Sequence, residues 1–302
     1  MSVLKITSPE KVLEIIARGE PCAVPTETVY GLAASIDNPF AVRQIFALKE
    51  RPVNHPLIIH VSSIAMAQRY AYFTDLALKI GHHFWPGPIT FILPKKDTVP
   101  HEVTGGLDTV GIRIPSHELT RQLIEQHGIP LAAPSANKFG KTSPTSADHV
   151  LTDHHHQVPV LDGGPCTVGV ESTILDLTVD PPAIRRLGAI GENDLQAFIA
   201  VFGHSQTPTS GTHKAHYAPS TSLLLSDNLQ ADQIRLEAKG LKVATLAQMD
   251  SPTYARELYA KLRNLDALGV DVLIAERPQN DSLGQAVLDR LNRASYGSTM
   301  KH

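Results

Sequence analysis

The sequence predicts an α/β fold in which an open, twisted, mixed sheet is followed by a small parallel sheet. Short apolar segments typical of strands alternate with helical segments along all 302 residues. The alternation is irregular up to about residue 206, which favours a mixed sheet. From residue 221 onward it is regular, and that regularity predicts a small Rossmann-like parallel sheet.

Helices in the first part of the chain are predicted from their capping residues. Ser8-Pro9-Glu10 combines a capping hydroxyl, a proline at the first helical position and an acid, and Gly19 ends this helix. Asn38-Pro39 predicts the next start. Further helices are expected after Ser62, Thr74, Ser116 and the segment 143–146, and over 195–202.

Strands are predicted wherever short apolar segments lie between these helices. Proline at 86 and 88 ends one helix, and a strand is expected directly afterwards. The expected strands of the first part cover residues 21–25, 57–61, 89–93, 109–114, 131–133, 158–161, 172–177 and 183–187.

The chain divides at a short polar segment, 206–212, which is rich in threonine and serine. We therefore predict a first domain over 1–206, a linker over 207–220 and a C-terminal domain over 221–302. In the last domain, strands are expected at 222–225, 241–246 and 270–275. Because this domain has no Gly-x-Gly-x-x-Gly and no Walker sequence, the nucleotide site is expected in the first domain.

Composition excludes several classes of protein. Hydrophobic residues make up 42% and charged residues 19%, as in a globular protein with a substantial core. Lys and Arg total 27 against 30 acids, which argues against general polynucleotide binding. Cys22 and Cys166 are too few for a disulfide framework. With no signal-peptide pattern and no membrane-spanning run, the chain is expected to be cytoplasmic.

Residues 24–60 hold the strongest local signal for a phosphate site. An apolar strand enters the turn that begins at Pro25, and a helix then brings Lys49 and Arg51 to the loop before the next strand. A lysine point charge beside the planar fork of an arginine suits phosphate oxygens. Taken alone, the same spacing is more typical of a solvated helix end whose cations interact with the helix dipole.

The sequence motifs of the chain resemble those of the Sua5/YrdC family of threonylcarbamoyl-AMP synthases. Seven blocks follow the family order across about two thirds of the sequence, and the remaining third resembles the extra domain of the long Sua5 type. The blocks are Pro25-Thr-Glu-Thr-Val-Tyr-Gly31, Lys49-Glu-Arg-Pro52 with His55-Pro-Leu-Ile-Ile-His60, Trp85-Pro-Gly-Pro-Ile-Thr90, Gly105 to Pro115, Ala133-Pro-Ser-Ala-Asn137, Asp162-Gly-Gly164 and Val170-Glu-Ser-Thr-Ile174.

The resemblance implies a YrdC-like catalytic sheet and a nucleotidyltransferase activity. L-threonine, bicarbonate or CO2, and ATP with Mg2+ would give threonylcarbamoyl-AMP and pyrophosphate. The product would pass to the machinery that makes t6A at position 37 of tRNA, and contact with tRNA or double-stranded RNA is a further expectation. No protein side chain is expected to bind the metal.

The resemblance also implies roles for individual residues. Lys49 and Arg51 would act in catalysis. L-threonine would be held by Thr26, His60, Arg113 and Ser172. ATP would be bound by Lys49, Arg51, Thr109, Ser135, Asn137, Ser143, Arg186 and Tyr217. At the family's arginine position Arg185 is the alternative to Arg186, because Leu187 replaces the usual proline.

Two local features allow more than one interpretation. Arg113 lies between two isoleucines, where it is either half of a structural ion pair or a clamp on a substrate carboxylate. Asp153-His-His-His156 invites a metal site, but adjacent histidines diverge and no further ligand completes a tetrahedral set.

Two other functions remain open from the sequence. An RNA-binding module is one, although the low aromatic content of 5% and the lack of excess basic charge weigh against it. A carbamoyl-transfer enzyme for metallocentre assembly is the other, but the zinc-finger and acylphosphatase segments usual in such proteins are not found here. The linker segment 210–219, which ends in His216-Tyr-Ala-Pro219, is expected to act as a lid over the cleft.

Overall fold

The computed structural model describes residues 5–6, 8–209, 211 and 215–298. Within these residues, ten strands form one mixed sheet in the order β1-β8-β2-β3-β7-β4-β6-β5-β9-β10, which confirms the predicted architecture. The strands are β1 (Lys5–Ile6), β2 (Cys22–Val24), β3 (Gly31–Ser35), β4 (Ile58–His60), β5 (Ile89–Pro94), β6 (Thr109–Arg113), β7 (Leu131–Ala132), β8 (Val160–Leu161), β9 (Thr173–Asp176) and β10 (Ala183–Arg186).

Only some of the predicted side-chain caps form in this part. The Ser8 side chain makes no capping hydrogen bond, and the helix predicted after Ser116 begins after His117. The Asn38 side chain accepts the Ala41 N–H, and the Thr74 hydroxyl accepts the Ala77 N–H. The helices are α1 (Pro9–Ala17), α2 (Pro39–Lys49), α3 (Ile64–Ala67), α4 (Asp75–Phe84), α5 (His101–Thr104), α6 (Glu118–His127), α7 (Ala147–Asp153) and α8 (Glu192–Leu195).

The two faces of the large sheet have different surroundings. Side chains on one face, such as Ile59 and Ile112, join the main apolar core with the helices. On the opposite face, Ile58, Ile92 and Ile174 form a separate small cluster. The start of the linker, at Pro208 and Thr209, lies beside this cluster.

The C-terminal part is a three-stranded parallel sheet, as predicted. Strands β11 (Ser222–Ser226), β12 (Val243–Leu246) and β13 (Val272–Glu276) pair in the order β11-β13-β12. Helices α9 (Leu229–Glu237), α10 (Ser251–Asp266) and α11 (Ser282–Gly297) connect or follow them. Their apolar faces form a second core, which also takes in Val29 and Val170 of the first part.

The structure differs from the sequence prediction in several segments. Strand β3 was not predicted, because Gly31 and its alanine neighbours have low strand propensity, yet β3 pairs with both β2 and β7 in the sheet interior. The helix predicted over 195–202 is wrong: α8 ends at Leu195. Ser63, not Ser62, caps α3. Residues 210 and 212–214 of the predicted linker lie outside the described residues. None of the described helices combines the length and hydropathy needed to cross a membrane.

Candidate active site

Most of the predicted site residues meet in one cleft over the face of the sheet that the linker crosses. Positions 58 and 60 of β4 pair with positions 111 and 113 of β6, and side chains two apart on a strand share a face. His60 and Arg113 are therefore neighbours. The predicted residues that line the cleft are Thr26, Lys49, Arg51, His60, Arg113, Ser135, Asn137, Ser172, Arg186 and Tyr217.

Helix α2 brings two cations to the cleft wall. The helix ends at Lys49, and Glu50 adopts a left-handed conformation with φ 55°, which turns the chain so that Arg51 also reaches the wall. Both side chains are buried, with 1% and 8% of their surfaces exposed. Arg51 donates to the Pro56 carbonyl at 3.1 Å, and its guanidinium lies 5.8 Å from the centre of the Phe139 ring.

The Lys49 ammonium holds the loop after β7. It donates to the carbonyl of Asn137 at 2.6 Å and to the carbonyl of Ser135. Burial, with help from the nearby Arg51, lowers the pKa of Lys49 well below its ordinary value. A bound anion would favour the charged form again. Because an ammonium has three donors, Lys49 can order this loop and still offer one N–H to a ligand.

The structure separates the two adjacent arginines of β10. Arg186 is buried on the cleft wall, where it donates to the carbonyl and to the hydroxyl of Ser172, each at 3.0 Å. Arg185 donates instead to the carbonyls of Ser205 and Thr207, the latter at 3.2 Å. The arginine that lines the cleft is therefore Arg186.

Arg113 is at once a structural ion pair and a cation of the cleft. Its guanidinium contacts the Glu27 carboxylate at 2.6 Å and donates to the Thr28 hydroxyl at 2.8 Å and the Gly87 carbonyl at 3.2 Å. Pairing makes its burial affordable, since an unpaired charge would be costly there. Its neighbour His60 is neutral, because burial and then Arg113 lower the His60 pKa to about 3.

Two predicted hydroxyls already have protein partners. Thr26 donates to the Val29 carbonyl at 2.6 Å and accepts the Thr28 and Val29 N–H groups at 3.2 Å, so it closes the turn after β2. The Ser172 hydroxyl lies 2.8 Å from the Thr90 hydroxyl. Both residues line the cleft, and both also have a structural role.

Two other predicted residues are not on the cleft wall. Ser143 is fully buried behind it and donates to the Glu171 carboxylate at 2.6 Å. Thr109 shares the face of Gly111 and Arg113 but lies further along β6, in a small separate cavity beside Pro208 of the linker. The ATP-binding roles that the resemblance implies for them stay predictions.

The end of the linker crosses the cleft. The Ala218 N–H donates to the Gly140 carbonyl at 2.9 Å, and the Thr142 hydroxyl donates to the Tyr217 carbonyl at 3.4 Å. Tyr217 is buried in a left-handed conformation with φ 62°. Burial, and then the nearby Glu171, raises its pKa to about 12, so the phenol keeps its proton.

Several buried polar atoms of the cleft residues have no hydrogen-bond partner within the described part of the chain. Each such atom costs about 1–3 kcal/mol when left unsatisfied. A polar ligand in the cleft would remove this cost. The atoms are the Tyr217 hydroxyl, His216 Nδ1, His60 Nδ1 and Asn137 Oδ1.

Sequence reasoning missed the carboxylates and one cation of this region. Glu27 and Glu171 stand inside quoted motifs but were given no role. Arg290 of α11 was not singled out, although it falls in the apolar stripe formed by Val287 and Leu291. A charged residue in such a stripe indicates a buried partner, and that signal was readable in advance.

The described residues of the cleft do not group into a set of metal ligands. Among the described residues, no group of three or more His, Cys, Asp or Glu side chains is placed to hold a metal ion. The carboxylate on the cleft wall, Glu171, is engaged by Arg290, and the nearby Glu27 is engaged by Arg113. The donor set therefore does not fit a resident divalent cation.

Family models match both parts of the chain. The Sua5/YciO/YrdC model, described as "Telomere recombination", matches residues 14–188. A model described as the C-terminal domain of threonylcarbamoyl-AMP synthase matches residues 183–295. The two matches together include every strand of both sheets except β1.

Full-length relatives agree with this assignment. A threonylcarbamoyl-AMP synthase of Pyrococcus abyssi is 39% identical and the match covers 93% of this chain and 92% of the relative. One of Bacillus subtilis is 35% identical over 95% of this chain and 92% of its own. The crystal structure of P. abyssi Sua5 complexed with L-threonine matches with a TM-score of 0.92 and 35% identity, covering 99% and 98% of the two chains. The chain therefore belongs to the Sua5/YrdC family, in its long Sua5 form.

Proposed function

We propose that this protein is a threonylcarbamoyl-AMP synthase, which makes L-threonylcarbamoyladenylate and pyrophosphate from L-threonine, bicarbonate or CO2, and ATP. Its full-length relatives carry that name, and a solved relative of the same fold binds L-threonine. The observation that carries the proposal is the meeting of Lys49, Arg51 and Arg186 with Arg113 in one cleft. Such a cleft is suited to two anions at once.

The proposed reaction begins at the amine of threonine. Its nitrogen adds to CO2 and loses a proton, which gives an N-carboxylate. An oxygen of that carboxylate then attacks the α-phosphorus of ATP, and the bond from this phosphorus to the bridging oxygen breaks as pyrophosphate leaves. The step makes the enzyme a nucleotidyltransferase and needs no covalent intermediate with the protein.

The protein contributes position and charge. Mutual repulsion opposes the approach of the carboxylate to the triphosphate, and Lys49, Arg51 and Arg186 would offset it. Each charge-assisted contact contributes about 1.5–3 kcal/mol. Arg113, with the neutral imidazole of His60 and the hydroxyls of Thr26 and Ser172, would hold the amino acid. Holding both reactants in one geometry removes much of the entropic barrier.

The nucleotide would be held mainly by the loop that Lys49 orders. We assign Ser135 and Asn137 to its direct contacts, with Tyr217 above it, and keep Ser143 and Thr109 as proposed contributors. Mg2+ would enter on the phosphates of ATP, since no group of metal ligands is found among the residues that the structure describes. It would supply charge neutralisation on the phosphate oxygens.

The proposal extends to the setting of the reaction. The product would supply the machinery that forms t6A37 in tRNA, in the cytoplasm, and contact with tRNA or double-stranded RNA would accompany the transfer. A near-balanced charge of −3 favours a local contact over a general one. Steep salt dependence of RNA binding without ATP turnover would instead favour a binding module.

An omission experiment tests the reaction. The protein is incubated with ATP, threonine and bicarbonate, and pyrophosphate is measured with each substrate left out in turn. Release that requires all three supports the synthase. Release that is indifferent to threonine or to bicarbonate contradicts it.

A further inference from the structure

One buried carboxylate of the cleft is held mainly by the C-terminal domain. Glu171 precedes β9, and its carboxylate accepts hydrogen bonds from Arg290 Nε and the Tyr259 hydroxyl, each at 2.9 Å to the same oxygen. Ser143 donates to the other oxygen at 2.6 Å. Arg290 also donates to the Glu171 carbonyl at 3.4 Å. Two of the three side chains on this carboxylate thus come from α10 and α11.

The Arg290 side chain is completely buried, and its main partner is the Glu171 carboxylate. Its side chain has no exposed surface, and Glu171 is 7% exposed. The guanidinium lies 5.4 Å from the centre of the Tyr217 ring and contacts Asp289 at 3.1 Å. Burying an arginine in the apolar stripe of a helix costs free energy unless a buried partner of opposite charge pairs with it.

The Glu171 carboxylate lies where a negative charge would repel ATP, the proposed ligand. Glu171 lines the same cleft as Lys49, Arg51 and Arg186. Burial would by itself raise the pKa of Glu171, but Arg290 and then Arg186 overcome it and hold that pKa below its usual range. The carboxylate is therefore ionised. Without Arg290 it would attract the phosphate cations and repel an incoming polyphosphate.

We propose that Arg290 is a positioning residue that neutralises and holds Glu171, so that the cleft accepts the polyphosphate of ATP only when the C-terminal domain is docked. The inference rests on the proposed function for the identity of the ligand. It gives the second domain a direct electrostatic part in substrate binding. Tyr259 assists by fixing the same carboxylate oxygen.

A second ion pair between the two parts provides a matched control. Arg263 of α10 contacts Asp153 of α7 at 2.6 Å, and neither residue lines the cleft. If Arg290 served only to hold the two parts together, weakening either pair would have the same consequences. Arg263→Lys weakens this pair but keeps the charge of Asp153, which acts on Lys49, and it therefore measures the effect of looser docking.

The test compares ATP binding and turnover in the full-length chain. Arg290→Met should raise the Kd of ATP, measured by calorimetry without threonine, by at least about ten-fold. The double variant Arg290→Met/Glu171→Gln should restore the Kd to near that of the unmodified protein, because the unbalanced carboxylate is gone. Arg290→Lys, which keeps the charge without the fork, should be intermediate and covers the case in which Arg290→Met does not fold. Arg263→Lys should leave the Kd unchanged.

Specific outcomes overturn the inference. An unchanged Kd in Arg290→Met, or in Arg290→Lys if only that variant folds, removes the electrostatic role. A double variant as weak as Arg290→Met makes the role structural only, and so does equal weakening by Arg263→Lys. The proposed function is judged separately: if the unmodified protein binds ATP but releases no threonine-dependent pyrophosphate, the synthase fails while the role of Arg290 in anion binding stands.

Discussion

Individual side chains that we propose as ligand-binding residues of the cleft also hold the fold. Lys49 fastens the loop that carries Ser135 and Asn137, and Arg113 is paired with Glu27. Substituting such a residue removes a ligand contact and also leaves a protein partner without its match. Predictions at this scale therefore need a variant that separates the two effects.

We expect Lys49→Ala and Arg51→Ala each to lower turnover by at least about ten-fold, since about 1.4 kcal/mol of transition-state stabilisation corresponds to a factor of ten. The reason is that both cations face the developing negative charge. Pyrophosphate release at saturating substrates measures the effect. The exposed Lys79 serves as a control, and Lys79→Ala should retain normal turnover. Near-normal rates in both cleft variants would remove the phosphate role.

Arg113→Ala should mainly raise the threonine requirement and leave ATP affinity nearly intact. It should also lower stability, because Glu27 is left buried without its partner, a loss of about 3–5 kcal/mol. The double variant Arg113→Ala/Glu27→Gln should recover much of the stability without recovering threonine affinity. Calorimetric titrations with threonine and with ATP, plus urea unfolding, separate the outcomes. Equal loss of ATP affinity would place Arg113 with the nucleotide.

A histidine effect should appear in the pH dependence of stability. Burial is the main reason that the pKa values of His60 and His216 are lowered to about 3, from the ordinary histidine value of 6.5. Below pH 6.5 the unfolded chain binds protons that the folded chain does not. Their contribution is therefore complete above pH 6.5 and is lost as the pH falls, with a slope approaching about 1.4 kcal/mol per pH unit for each group. Urea unfolding across this range should show it, and a slope unaltered in His216→Gln would disprove the assignment.

At the scale of elements, the linker and the strands set the geometry of the cleft. Register brings His60 beside Arg113, and the linker is shaped around Tyr217 and Arg186. Gly211, with φ 78°, packs directly against both: a Cβ there would lie 2.3 Å from the Tyr217 hydroxyl and 3.0 Å from an Arg186 nitrogen. This position requires a glycine because a side chain would collide with these two residues, and also because its backbone is left-handed.

Gly211→Ala should therefore reduce turnover by displacing Tyr217 or Arg186. Gly240→Ala is the matched control, since Gly240 has φ 82° and open space around the added atom. Both variants should lose about 1–2 kcal/mol of stability through backbone strain, but only Gly211→Ala should lose activity. Thermal unfolding and pyrophosphate release are the measurements. Matching activities in the two variants would contradict the packing argument.

The sequence predicted elements well where side-chain chemistry is local, and less well where distant contacts decide. Caps at Asn38 and Thr74 were readable because a cap acts within one turn. Strand β3 was not, because its alanines enter the sheet only through neighbours on both sides. For the cleft, short sequence motifs indicated most of the lining residues. The ion pair between Glu171 and Arg290, by contrast, connects two residues that are far apart in the chain. No local pattern encodes such a pair.

At the scale of the whole molecule, the two sheets share one site. The main core belongs to the first part alone, so a chain that ends at Gln206 should fold. It lacks the linker end that crosses the cleft and the α11 partner of Glu171. We expect it to bind ATP weakly, and to release product or waste the ATP that it binds without accumulating threonylcarbamoyl-AMP, since water can reach a labile adenylate. Tyr217→Ala in the full chain should show a milder form of this defect.

Chromatography of the quenched reaction measures the retained intermediate, and circular dichroism checks that the shortened chain is folded. If that chain makes and keeps the intermediate as well as the full chain does, the linker is only a tether and the lid interpretation is wrong.

Burial also divides the charge of the molecule unevenly. Among the described residues, the buried lysines and arginines are Lys49, Arg51, Arg113, Arg186 and Arg290, and the buried carboxylates are Glu27, Glu171 and Asp176. The interior is thus cationic, and the exterior is more negative than the formal total of −3 implies. Exterior charge is screened over about 8 Å at physiological ionic strength. A nucleotide is therefore repelled by the negative exterior and attracted only near the mouth of the cleft. Moderate salt should raise its association rate constant by screening this repulsion, and should lower its affinity by screening the attraction in the cleft.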